Sequence, residues 1–76
     1  MSAVTARSGA EISRDIISEI RRNHLDDNSE IRVNVKDGTV TLSGTVDSYI
    51  TSSNVEYIAY ATPGVVAVDN QLSIVY

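Results

Sequence analysis

His24 is the chain's one histidine, and Asp26 and Asp27 follow it closely. An imidazole can act as a general base, but it needs a nucleophile within hydrogen-bond reach and a carboxylate that orients it. Two acids in a turn-forming run supply neither, so His24 is expected at a helix C-terminus, where positive charge suits the helix dipole. Ser43 precedes Gly44 but lacks the flanking pattern of a nucleophile elbow, and a strand position on a wet face is expected for it. Asp26-Asp27-Asn28-Ser29-Glu30 is rich in oxygen. It has neither the glycine nor the distal bidentate glutamate of a calcium loop and reads as a solvated turn. Cysteine is absent, which removes disulfides and thiolate metal sites. No paired carboxylates and no phosphate loop are visible either. The expectation is a non-enzyme with no cofactor and no metal.

The residues that remain are suited to holding something rather than transforming it. Tyr49, Tyr57 and Tyr60 stand in a stretch otherwise made largely of Ser, Thr and Asn, with Ser53 and Glu56 among them. Tyrosine offers large contact area at low entropic cost, and depletion of charge marks the centres of interfaces. Two readings of the rings stand side by side: a partner surface, or amphipathic cover laid over the edge of the core. Asn70 interrupts an apolar alternation and is expected to be a satisfied amide that ties its strand to neighbouring backbone.

These side chains must be positioned by elements that the pattern defines. Ser8-Gly9-Ala10-Glu11 is a capping box. Ile12, Ile16 and Ile20 follow at helical spacing, with Ile17 at the edge of the stripe. Residues 31–46 then alternate around Asp37-Gly38, a pair suited to a type I′ hairpin turn. A two-residue turn pairs Val35 with Val40, Val33 with Leu42 and Ile31 with Gly44, and every apolar side chain lands on one face. Gly44 removes a side chain from that face, as if a helix backbone came close. Asp47 or Ser48 can cap a second helix over Tyr49 to Thr62, stopped by Pro63-Gly64. Its inner side is expected to carry Ile50, Val55, Ile58 and Ala61, with Asn54 also falling there, and Tyr49, Ser53, Glu56 and Tyr60 opposite, with Tyr57 at the flank. A last strand alternates Val66, Val68, Asn70, Leu72 and Ile74 inward. The order is αββαβ, and a helical crossover allows the final strand to run parallel. Residues 1–9 are expected to be a flexible tail and residues 10–76 a single domain.

At 76 residues the chain is one small domain that buries only about 60–65% of its unfolded surface. The net charge is −4, and all six Lys and Arg lie within the first 36 residues. From Asp37 onward there are four acids and no base. Such a half is a poor match to nucleic-acid phosphates or to anionic headgroups, so nucleic acid is not an expected partner. No leader is visible, so the chain as written would remain in the cytoplasm; excised from a longer exported protein, it would belong to the periplasm or envelope.

Taken together, the marks Ile16 and Ile20, then Val33-x-Val35-x-Asp37-Gly38-x-Val40-x-Leu42-x-Gly44-x-Val46, then Gly64-Val65-x-x-Val68-x-Asn70-x-Leu72, resemble the BON domain, a bacterial module named for osmotically induced and nodulation proteins. The resemblance covers about residues 12–75 and rests on core and turn positions. It implies an α+β fold with two helices packed on one face of a three-stranded mixed sheet. It also implies a non-enzymatic binding module of periplasmic, envelope or stress proteins that contacts phospholipid or other envelope components, with a cytosolic relative tied to potassium sensing. Three expectations follow, in this order: a helix surface presented to a protein partner or to a second copy, a peripheral phospholipid-binding domain, and an ion-responsive domain. Second helices of the family often carry Lys and Arg, and a small apolar residue is more usual where Asn54 stands. With neither here, binding to phospholipid is expected to be weak.

Overall fold

A computed structural model of the protein describes residues 8–27 and 29–75. The first element, α1 (Gly9–Arg22), starts where the capping box closes. The Glu11 amide donates to Ser8 Oγ at 3.1 Å, and the Ser8 amide donates to Glu11 Oε1 at 3.2 Å. Ser8 and Gly9 are therefore the cap and first turn of the helix rather than the end of a tail; residues 1–7 of the expected tail lie outside the described residues. Ile12, Ile16 and Ile20 are buried along one side.

The helix ends on His24, whose φ is 56°. The His24 amide donates to the Arg21 carbonyl (3.1 Å) and the Leu25 amide to the Ile20 carbonyl (3.0 Å). This pair of reversed bonds satisfies the last carbonyls and folds Leu25 back onto the core.

Two strands follow, β1 (Glu30–Lys36) and β2 (Thr39–Val46), antiparallel in the register that the alternation specifies, from Glu30 opposite Thr45 to Lys36 opposite Thr39. Asp37 and Gly38 both take positive φ, 51° and 80°, as a type I′ turn requires. The turn is also pinned from outside: the Val66 amide donates to the Gly38 carbonyl at 2.7 Å. A Cβ on Gly38 would stand 2.8 Å from Val66 Cγ2.

Gly44 has φ of 113°, and a Cβ there would run into the Glu30 carbonyl of the neighbouring strand. The close approach is thus from β1, not from a helix as its placement suggested. A side chain is excluded both by the backbone angle and by the partner strand.

The second helix is α2 (Tyr49–Ala61), and it leads through Pro63-Gly64 to β3 (Ala67–Asn70) and β4 (Ser73–Ile74). Both final strands run parallel to β2, in one unbroken register. They are two halves of the expected last strand, interrupted at Gln71 and Leu72, opposite Ser43 and Gly44. Gly44, with its positive φ, and this interruption sit at the same level of the sheet. Asn70 Oδ1 accepts from the Leu72 amide at 3.0 Å, a local side-chain bond that competes with ladder pairing. Val66, expected inward at the head of this strand, precedes β3 and is exposed.

The sheet order is β1-β2-β3, with β4 continuing beside β2. Both helices pack on one face, as the αββαβ order predicts. The core joins Ile12, Ile16 and Ile20 of α1, Val40 and Leu42 of the central strand, and Val55 and Ala59 of α2. Half-buried Ile31, Val33, Val35, Val68 and Leu72 surround them. The other sheet face, with Arg32, Asn34, Lys36, Thr45, Asp69 and Ser73, is exposed.

Candidate functional site

α2 is fixed at both ends. Ser48 Oγ accepts from the Thr51 amide at 3.2 Å, and Thr51 Oγ1 donates to Asp47 Oδ1 at 3.1 Å. Of the two residues expected to compete for the cap, Ser48 takes it, and Asp47 holds the Thr51 hydroxyl beside it. At the other end Thr62 is buried and its hydroxyl donates to the Ile58 carbonyl at 2.8 Å. The Thr62 and Val65 amides close the turn toward Gly64, whose φ of 95° ends the helix.

The helix buries Ser52, Val55 and Ala59 against the sheet. This corrects the inner side expected from hydrophobicity. Val55 is buried and Ile58 half-buried, but Ile50, Asn54 and Ala61 face solvent. The cause lies in Ser52. Its hydroxyl accepts from Asn70 Nδ2 at 3.1 Å, so a polar residue can occupy the contact face at no unsatisfied cost. Small residues at 52 and 59 suit a close approach of helix to sheet, and the bulkier Ile50 turns outward. The partner of Ser52 is 18 residues away in sequence, out of reach of any local pattern.

Asn70 is the anchor. Its amide nitrogen donates to Ser52 Oγ and to Glu56 Oε1, each at 3.1 Å, while its oxygen takes the Leu72 amide. The amide is satisfied as expected, but its backbone bond is local, to Leu72 two residues on, and its tie to a neighbouring element is to two side chains of α2. Glu56 is thereby half-buried and turned toward the sheet.

What remains free on α2 is a broad aromatic and uncharged surface. Tyr49 is 71% exposed, Tyr57 73% and Tyr60 55%, with Ile50 at 70%. Ser53, Asn54 and Ala61 are exposed between them. The rings stand out in solvent instead of lying over the core, and Ile50, Asn54 and Ala61 share their side of the helix instead of opposing it. A shallow groove runs alongside, between α1 and α2. It is formed of two cavities of about 410 and 450 Å³ that share Glu19, Tyr57 and Ile58 as walls. Glu19 in that wall is paired with Arg22 at 3.1 Å.

The residues with catalytic potential are not brought together. His24 is exposed at the end of α1, with Nδ1 3.9 Å from Asp27 Oδ2, also exposed. Ser43 is on the open sheet face opposite Arg32. Of the oxygen-rich run, Asn28 lies outside the described residues, and among the described residues no three His, Cys, Asp or Glu side chains converge on one point. No helix among them is long and apolar enough to cross a membrane.

No curated protein matches the chain. The family model described as "BON domain" matches residues 8–76, which includes both helices and every strand of the sheet. With the αββαβ order, the Asp37-Gly38 turn and the Asn70 anchor all inside that span, the chain belongs to the BON domain family.

Proposed function

We propose that this protein is a BON-type binding module that holds a protein partner on the solvent side of α2, through Tyr49, Tyr57 and Tyr60 with Ser53; Glu56, expected beside them, is turned to Asn70 and does not belong to that surface. BON domains are generally non-catalytic binding modules, and the reading rests on one observation. A helix fixed at both ends and clamped by Asn70 presents three half- to three-quarter-exposed tyrosines and no base. Rigid exposed rings in a charge-poor setting give contact area without the cost of ordering long side chains. The context we assign is the cell envelope or a stress response, on the strength of the family resemblance.

The test compares what a tagged copy retains from its own cells. Wild type is set beside Tyr57→Ser/Tyr60→Ser and beside Arg32→Ser/Lys36→Ser on the open sheet face. Retention of a specific protein should be lost in the tyrosine variant and kept in the sheet variant. Equal retention by wild type and the tyrosine variant contradicts the proposal.

A further inference from the structure

α2 carries a second stripe, on the side away from the core. Ile50, Asn54, Tyr57 and Ala61 recur at four-, three- and four-residue spacing, the spacing of a seam between paired helices. All four are exposed. Ser52, Val55 and Ala59, which face the sheet, lie on the other side of the helix. A helix with apolar residues on two opposite sides has one face its own fold does not cover.

The sizes along the stripe identify what covers it. Set a second α2 antiparallel, with the two-fold axis between Asn54 and Tyr57. Ile50 then faces Ala61 of the other copy, and Tyr57 faces Asn54, each pairing occurring twice. A large side chain meets a small or polar one at every level. The phenol and the carboxamide can each donate and accept. Between the two helices no like charges are brought together: α2 has no base, and its acid, Glu56, is turned to Asn70. The helix also has no cation in its last turn, so an antiparallel neighbour lays its positive end beside that negative end.

We infer that the partner surface of α2 is self-complementary, and that a second copy of this chain docks on it as an antiparallel, two-fold pair through Ile50, Asn54, Tyr57 and Ala61. The inference rests on the reading of α2 as the binding surface and commits that surface to one occupant. The contact is isologous and closes at two chains. The two large side chains of the seam, Ile50 and Tyr57, are 70% and 73% exposed and offer roughly 300 Å² a copy, taking a large side chain at about 200 Å². That places the dimer at the small, weak end of specific interfaces.

Sedimentation equilibrium or diffusion NMR from roughly 20 μM to about 1 mM chain covers the range expected of so small an interface. Wild type should rise from the mass of one chain toward that of two. Ile50→Glu and Ala61→Lys each place a charge in the seam, and each suits its own end of the helix dipole, so the fold is kept; amide spectra check this. Each variant alone should associate at least about tenfold more weakly, the loss expected when a charge enters an apolar contact unpaired. The double variant should recover, because the new carboxylate at 50 faces the new ammonium at 61 of the other copy. Wild type that stays at one chain, single variants that associate like wild type, or a double variant that does not recover would each overturn the inference. A protein retained through Tyr57 and Tyr60 by a chain that never self-associates would sink the self-pairing alone and leave the binding surface standing.

Discussion

His24 occupies a backbone position that suits glycine. It takes the left-handed angle that closes α1, and its side chain is exposed, with Nδ1 3.9 Å from Asp27 Oδ2. A non-glycine residue there is strained by about 1–2 kcal/mol, partly offset by the greater unfolded-state freedom of glycine. His24→Gly is therefore expected to stabilise the domain by about 0.5–1 kcal/mol, raising the midpoint of thermal unfolding by several degrees. Unchanged or lowered stability would show that the imidazole contributes something the cap geometry does not. Gly44→Ala has the opposite sign. The backbone angle and the Glu30 carbonyl both exclude a Cβ, so a loss of about 2 kcal/mol or more is expected by urea titration, whereas Ser43→Ala next to it should move stability by less than about 0.5 kcal/mol. Asn70→Ala removes the donor shared by Ser52 and Glu56 together with the acceptor for Leu72. The cost of buried groups left unsatisfied is about 1–3 kcal/mol, and hydrogen exchange should show β3 and α2 loosening together.

At the level of elements, α1, the hairpin and the bounds of α2 were legible, and the facing of α2 was not. The hairpin has a two-residue turn, a period of two and one buried face, and these three constraints agree only in the register that the structure adopts. In α1 apolar spacing and burial coincide because its inward positions are all isoleucine. In α2 they part company. Ser52 is buried and Ile50 is exposed, because a hydrogen bond from Asn70 makes serine acceptable on the inner face. A reading by hydrophobicity alone turns the helix the wrong way. The tyrosines were legible as a candidate surface; the company they keep, Ile50, Asn54 and Ala61, was not. The break at Gln71 and Leu72 was hidden for a related reason, since it depends on the pairing of β2 with the last strand across a helix. The consequence for α2 is a separation of roles. Tyr57→Ser and Tyr60→Ser should leave unfolding free energy within about 0.5 kcal/mol of wild type, while Val55→Ala, inside the core, should lower it by about 1–3 kcal/mol. Similar losses from both would mean the rings are core cover.

For the whole molecule, the distribution of charge decides what surfaces it can approach. The described cations sit on α1 and β1, at Arg14, Arg21, Arg22, Arg32 and Lys36, and Arg22 is already paired with Glu19. The net charge of −4 and the base-free half from Asp37 onward oppose approach to an anionic membrane. Co-sedimentation with phosphatidylglycerol vesicles is expected to be negligible at about 0.15 M salt, where charges are screened beyond about 8 Å. Tight binding there would move the active surface to α1. The most direct measurement of the central claim uses a photo-reactive phenylalanine analogue at position 57 on α2, and the same group at position 34 on the open sheet face, in the chain expressed in its own cells. Both sites are exposed, so folding and labelling should be equal. A discrete cross-linked product, to another protein or to a second copy, should form from position 57 and not from position 34. A product from position 34 alone would contradict the account and assign the work of this domain to its sheet.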